Sequence, residues 1–241
     1  MSTLQSVRRF PRFEVVVAGL VLWGLAACQT SPPTAQAPAV QAPVTASGAI
    51  PADARELHVV AEESLLQILV HRGGAMARLG HNHVIASHQL GGTVYATDDA
   101  LQTRFDISFP VSDLTVDEPA LREQAGPDFP PNVPQSARDG THTNLLSEAL
   151  LDAAHYPTIR LRATDVIEAA GGYDMGVEIS IKDQVRTVRV PVAVERKDGA
   201  IVATGEFPLK QSDLGLKPFS IAMGALVVLD DMTVRFSVTA R

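Results

Sequence analysis

"MGVEISIKDQVRTVRVPVAV", residues 175–194, is the stretch that decides the fold. In its first half every second residue is apolar, and polar residues such as Glu178 and Ser180 lie between them. The two apolar rows are Met175, Val177, Ile179 and Ile181, and then Val188, Val190, Val192 and Val194. A period of two is typical of a half-buried β-strand. The stretch therefore predicts two neighbouring antiparallel strands that share one apolar face.

The same alternation recurs along the chain, in "LQTRFDISF" (101–109), "TIRLRA" (158–163) and "MTVRFSVT" (232–239). Gly pairs at 91–92 and 171–172, and the Asp-Gly pair at 198–199, predict turns between strands. Many half-apolar strands with short turns indicate an up-and-down barrel or a sandwich. Aromatic residues make up only 5% of the chain, and the polar rows carry charge along their length. Charge that faces lipid costs about 2–4 kcal/mol per Arg or Lys, so we expect the apolar rows to point inward in a water-soluble barrel.

One helix interrupts the strand pattern. In "TNLLSEALLDAAHYP" (143–157) the residues Leu145, Leu146, Ala149, Leu150 and Ala153 fall on one helical face. The preceding connection, residues 117–140, is long and rich in proline. Connections of this kind are usually disordered or act as functional lids, and we expect disorder or a partly ordered flap.

The N-terminal segment has the features of an export signal. Three arginines (Arg8, Arg9 and Arg12) precede an apolar run at 15–25, and "LAAC" follows at 25–28. Because Cys28 is the single cysteine, we expect residues 1–27 to be a lipoprotein signal peptide and Cys28 the lipidated membrane anchor. The alternative is an ordinary secretory signal with an incidental cysteine.

The segments after the signal divide into a linker and one domain. Residues 28–56 are rich in Ala and Pro and predict an extended tether, and residues 57–241 are long enough for one domain. By similarity to bacterial lipoproteins, Gln29 after the cysteine favours the outer membrane. The expected location is therefore the periplasm, with the protein anchored to a membrane through Cys28.

The charge excludes one class of partner. The chain has a formal net charge of −7, and residues 1–27 contain three Arg and one Glu, so the remainder carries −9. An acidic domain repels the phosphate backbone, which excludes nucleic acid as a partner. The oligomeric state stays open.

Four segments in the C-terminal half carry a family resemblance: "HYPTIRLRATDV" (155–166), "VEISIKDQVRTVRVPVAVE" (177–195), "GEFPLKQSDLGLKPFS" (205–220) and "DDMTVRFSVTA" (230–240). In this order they resemble the YceI-like, polyisoprenoid-binding family, except that Leu214 stands where an aromatic residue is common. The resemblance implies an all-β, eight-stranded antiparallel, lipocalin-like barrel with one or two short helices. It also implies an isoprenoid lipid, polyprenyl or quinone-like, as the ligand in the lumen.

The predicted inner rows are mostly small and aliphatic, which favours a cavity as much as a packed core. We expect the following residues to line the lumen and contact the lipid tail: Phe105, Ile107, Phe109, Ile159, Leu161, Val177, Ile179, Val190, Val192, Val234 and Phe236.

A histidine motif, "ARLGHNHVIASH" (77–88), admits three interpretations. On a strand His81 and His83 would share one face, where they could form structural hydrogen bonds or contact a lipid headgroup. With His71 or His88 as a third ligand they could instead bind a metal. Lys217 is a further candidate for the headgroup, as a cation for pyrophosphate.

Motifs of common enzyme classes are absent from the sequence: there is no G-x-S-x-G, P-loop, G-x-G-x-x-G or H-E-x-x-H. We therefore predict a binding protein without catalytic residues, resident metal or cofactor, whose ligand is the isoprenoid lipid. The alternative is a periplasmic protein that binds metal through its histidines, or a metal-dependent enzyme.

Overall fold

The computed structural model describes residues 48–241. The predicted signal peptide, Cys28 and most of the predicted tether lie outside these residues. The strands are β1 (Arg55–His58), β2 (Leu65–Gly73), β3 (His83–Ser87), β4 (Gly91–Ala96), β5 (Arg104–Pro110), β6 (Thr115–Val116), β7 (Thr158–Ala169), β8 (Gly172–Ile181), β9 (Gln184–Lys197), β10 (Ala200–Lys210), β11 (Ser220–Ile221) and β12 (Leu226–Ala240). The helices are α1 (Pro119–Ala125) and α2 (Gln135–Leu146). Strand β1 begins two residues before the predicted start of the domain.

The strands form one antiparallel sheet that curls until its ends meet. Hydrogen-bonded neighbours follow the order β1-β4-β5-β7-β8-β9-β10-β12. Val59, just after β1, then forms a bridge with Ala240 at the end of β12, and the Val60 N–H donates to the Thr239 carbonyl at 2.8 Å. The backbone hydrogen bonds therefore join the last strand of this order to the first.

The sheet has twelve strands instead of the predicted eight, while the predicted all-β, lipocalin-like fold class is confirmed. The difference arises because two long strands are interrupted. Strands β1 and β2 are separated by a 3-10 turn at Ala61–Glu63, and both pair with the bent strand formed by β3 and β4. Strands β6 and β11 are two-residue additions at the edge.

Because the strands alternate in direction, their connections separate into two ends. The open end contains the β4–β5, β7–β8 and β9–β10 turns. The capped end contains the β2–β3 and β8–β9 turns, the β10–β12 connection and the connection from β5 to β7 that carries both helices. Within residues 48–241 no helix is both long and apolar enough to cross a membrane.

The helix prediction for residues 143–157 is wrong in position. Helix α2 begins at Gln135 and ends at Leu146, and turns follow in which the Leu151 N–H donates to the Leu145 carbonyl. Leu145 of the predicted face is buried, at 6% exposed, but the turns bury Leu151, also 6% exposed, more fully than Leu150 of that face. The apolar pattern therefore did not distinguish a helix from compact turns.

The connection 117–140 is ordered instead of forming a disordered segment or flap. It contains α1 and the first half of α2. Leu121 of α1 and Phe129 pack on the outer face of β2 and β3, against Leu69 and Val84. This small outer core explains why a proline-rich segment adopts a fixed structure here.

The Gly pair at 91–92 starts β4 instead of forming the predicted turn. Gly92 has a φ of 133°, and a Cβ at this position would lie 2.1 Å from the Asp106 carbonyl oxygen on β5. The glycine is needed because strand β5 approaches the backbone closely. The Asp-Gly pair at 198–199 does form the β9–β10 turn, with positive φ at both residues.

Candidate functional site

The interior of the barrel contains one elongated cavity of about 530 Å³. All eleven residues that the sequence indicated for the lumen line it, from Phe105 on β5 to Phe236 on β12. The inward rows of the strands run along it, since alternate residues of a strand face the same side. On β8 this row runs from Tyr173 to Ile181.

The cavity lining is apolar apart from Thr103, Tyr173 and Arg196. Each of these polar residues is the terminal member of an inward row at the open end. Thr103 precedes Phe105 by two positions, Tyr173 precedes Met175 by two, and Arg196 follows Val194 by two. The sequence analysis did not identify them, although continuing the period-two rows by one step would have found all three.

The cavity is closed toward the capped end. Its lining residues there, Ile181, Leu209 and Leu214, are 4%, 9% and 6% exposed. The same hydrophobic core also contains side chains that do not line the cavity, such as Leu145 and Leu151. At the open end, in contrast, Val194 is 38% exposed and Arg196 is exposed. The mouth of the cavity therefore lies at the open end.

Arg196 reaches across this mouth. Its Nη2 donates a hydrogen bond to the carbonyl oxygen of Thr97 at 3.2 Å. Arg196 is on β9 and Thr97 follows β4, and these two strands are on opposite sides of the ring. Within residues 48–241 Arg196 makes no ion pair, and the partner of its guanidinium is this neutral carbonyl.

A polar cluster at the capped end contains one of the predicted histidines. His83 is the first residue of β3, and its Nδ1 lies 2.6 Å from the Asp117 carboxylate. On its other side, Nε2 lies 3.2 Å from the Thr141 hydroxyl on α2. The second carboxylate oxygen of Asp117 accepts the Val84 N–H at 2.9 Å and a hydrogen bond from Arg122. The cluster thus links β3 to both helices.

Asp117 stays ionised in this cluster. Its burial alone would raise the pKa of the carboxyl, but hydrogen bonds from His83, the Val84 N–H and Arg122 outweigh burial and hold the pKa below its ordinary value. The carboxylate accepts the Nδ1 proton of His83, and the other ring nitrogen, Nε2, forms a hydrogen bond with the Thr141 hydroxyl. This order of groups can orient a base toward a hydroxyl. Because the carboxylate also pairs with Arg122 and the His83 side chain is only 11% exposed, we assign the cluster to packing of the helices.

His81, His83 and Lys217, the predicted headgroup residues, do not line the cavity. The sequence predicted that His81 and His83 share one strand face. In the structure His81 instead precedes β3, and the centroids of the two rings are 6.1 Å apart. Burial and the neighbouring His83 and Arg122 lower the pKa of His81. Lys217 follows the 3-10 turn Ser212–Leu214 at the capped end.

The residues predicted as further metal ligands have other partners. His71 packs edge-on against Phe129, with 5.2 Å between the ring centroids, and His88 pairs with Glu118 at 2.9 Å. In the part of the chain that the structure describes, no three His, Cys, Asp or Glu side chains are grouped to hold a metal ion.

The sequence profile of the YceI-like domain matches residues 76–240. The chain belongs to the YceI-like family. The family resemblance drawn from the four C-terminal segments is thus confirmed. Among curated proteins, no sequence matches this YceI-like chain.

Two solved structures share the fold of this YceI-like protein. BcnA from Burkholderia cenocepacia is 16% identical, with a TM-score of 0.57 over 76% of this chain and 99% of BcnA. A polyisoprenoid-binding domain from Saccharophagus degradans, implicated in plant cell wall breakdown, is 12% identical, with a TM-score of 0.51 over 78% of this chain and 98% of that domain. At these identities the likeness establishes the fold.

Proposed function

We propose that this YceI-like protein is a membrane-anchored periplasmic lipid-binding protein that holds the tail of an isoprenoid-type lipid in its barrel. One observation carries the proposal: an apolar cavity of about 530 Å³ whose polar lining residues all lie at the mouth. Small-molecule cavities in proteins usually measure about 300–1,000 Å³, and an eight-stranded barrel can hold one such ligand.

The lining selects for an elongated, apolar ligand. A polar group deep in this cavity would find no partner among the lining side chains, and burying it unpaired costs about 1–3 kcal/mol or more. The inward row from Tyr173 to Ile181 spans about 26 Å along β8, at roughly 3.3 Å per residue. A hydrocarbon tail fits this shape, with its polar group at the mouth.

The family and the fold neighbours support an isoprenoid as the tail. The Saccharophagus degradans domain with this fold is described as polyisoprenoid-binding. The export-signal pattern of residues 1–27 and Cys28 supports the periplasmic, anchored location. A polyprenyl lipid or a quinone satisfies both the lining and the family.

Mass spectrometry of an organic extract tests the proposal. We expect the purified protein to release about one isoprenoid lipid per chain. Two variants of β9 provide a matched comparison, because Val190 lines the cavity and Val185 faces outward with 55% exposure. Val190→Trp should lower the amount of co-purified lipid, and Val185→Trp should leave it unchanged.

Two results would contradict lipid binding. Wild-type protein that yields no lipid, and takes up no isoprenoid when it is offered in vesicles, would exclude it. Near-stoichiometric zinc that survives dialysis and is lost in His81→Ala or His83→Ala would favour the metal-binding alternative instead.

A further inference from the structure

The mouth of the cavity presents a single charged side chain. Of the residues that line the cavity, Arg196 alone carries a charge, and it is exposed to solvent at the end of β9. The residues before and after it, Glu195 and Lys197, alternate to the outer face of the strand. The inward row of β9 therefore changes from three valines to a cation where the cavity meets solvent.

The partner of Arg196 is weak and replaceable. Its guanidinium donates to the neutral carbonyl of Thr97 at 3.2 Å, and the nearby Asp98 and Asp99 form no ion pair with it in the structure of residues 48–241. Hydrogen bonds between a guanidinium and an anion are roughly twice as strong as those between neutral groups. An anion at the mouth would thus displace the Thr97 carbonyl from Arg196.

We propose that Arg196 binds an anionic headgroup, a phosphate or pyrophosphate, on the lipid whose tail occupies the cavity. This inference rests on the proposed function and adds the chemical class of the headgroup. Tyr173 and Thr103, the other polar residues of the lining, supply hydroxyl groups on the same rim. A guanidinium offers two parallel N–H groups to phosphate oxygens, which a neutral quinone carbonyl cannot use in the same way.

The capped end does not offer an equivalent position. His81, His83 and Lys217 do not line the cavity, and its lining at the capped end consists of buried apolar side chains, Ile181, Leu209 and Leu214. A headgroup directed toward them would have to displace these buried side chains. The tail therefore enters first, and the headgroup remains at Arg196.

The experiment compares one tail with two headgroups. Delipidated protein is titrated with geranylgeranyl phosphate and with geranylgeraniol, and the dissociation constants are measured by displacement of a fluorescent fatty probe. Wild-type protein should bind the phosphate at least about tenfold more tightly than the alcohol. Arg196→Gln should remove this preference without changing the affinity for the alcohol.

Matched variants separate the site from general charge. Lys197→Gln removes the same charge from the adjacent, outward position and should keep the preference. Arg196→Lys keeps the charge but not the two parallel N–H donors, and it should retain part of the preference for the phosphate. Arg196 is exposed, so circular dichroism and thermal unfolding of each variant should match the wild type.

Each outcome is decisive. Equal binding of phosphate and alcohol by the wild type, or a preference that survives in Arg196→Gln, would overturn the headgroup inference while leaving the tail-binding function intact. If neither ligand binds and no probe is displaced, the proposed function itself fails. If Lys197→Gln also loses the preference for the phosphate over the alcohol, that preference comes from the net charge of the protein. A site at Arg196 would then be refuted.

Discussion

Ile179→Trp separates an open cavity from a filled core. Ile179 lies in the middle of β8, is 8% exposed and lines the cavity. Tryptophan adds about six non-hydrogen atoms, the volume of a few water molecules at ~30 Å³ each, to a space of about 530 Å³. The cavity accepts this addition, so we expect little change in the free energy of unfolding of the lipid-free protein.

Leu69→Trp is the control in a filled core. Leu69 is 3% exposed and packs outside the barrel against α1. Neither Leu69 nor the buried residues it packs with line the cavity. Overpacking such a site costs about 1–3 kcal/mol. For a domain of this size each kcal/mol lowers Tm by about 2–4 °C, so Leu69→Trp should melt roughly 2–12 °C below the wild type.

The assay is thermal unfolding of delipidated protein, followed by circular dichroism, together with lipid binding. Ile179→Trp should keep the wild-type Tm and lose much of the lipid affinity. Leu69→Trp should lower Tm and keep the wild-type lipid affinity. If Ile179→Trp destabilises the lipid-free protein as much as Leu69→Trp does, the interior is packed and the cavity argument is refuted.

Three further predictions concern the polar cluster and the anchor. Arg122→Met removes the guanidinium that pairs with the buried Asp117 carboxylate, so it should lower the free energy of unfolding by about 3–5 kcal/mol, measured by urea denaturation. Arg160→Met is the control: it removes an exposed pair with Asp106 and should lower the free energy of unfolding by no more than about 1 kcal/mol. Because the folded pKa of Asp117 is lowered, its contribution to stability is present above its unfolded value of about 3.9 and is lost as pH falls through the folded value. The stability gap between wild type and Asp117→Asn, measured by urea midpoints, should therefore narrow from pH 7 to pH 3, and a constant gap would contradict this. Cys28→Ser should move the protein from the membrane to the soluble fraction with unchanged Tm, and a wild-type N-terminus without acyl mass would refute the anchor.

The barrel could be predicted because its signal is local. Alternation within each strand identifies the inward face residue by residue, and the eleven lumen positions on β5, β7, β8, β9 and β12 follow from it. The same rule, extended by one step, reaches Thr103, Tyr173 and Arg196. These residues were missed because a polar residue at the end of a row looks like the end of the strand.

The helices and the histidine cluster could not be predicted, because distant contacts determine them. Helix α2 contains Gly140 and several β-branched or polar residues, so its intrinsic helix propensity is low. Its position depends on the Thr141 contact with His83, and that of α1 depends on the Arg122 pair with Asp117. No spacing in the sequence indicates that residues 34 positions apart, such as His83 and Asp117, share a hydrogen bond.

The chain reaches the barrel at the same end as the mouth. Strand β1 starts at Arg55, opposite Ala96 at the open end, and Gly48 lies beside the Thr164 carbonyl. With Cys28 as the proposed anchor, the twenty residues from there to Gly48 extend at most about 70 Å. Such a tether would make the encounter between the mouth and the bilayer an intramolecular event, with an effective concentration in the millimolar range. If Cys28 is the anchor, lipid exchange with that membrane should follow first-order kinetics, with a rate constant set by the length of the tether and independent of the protein concentration.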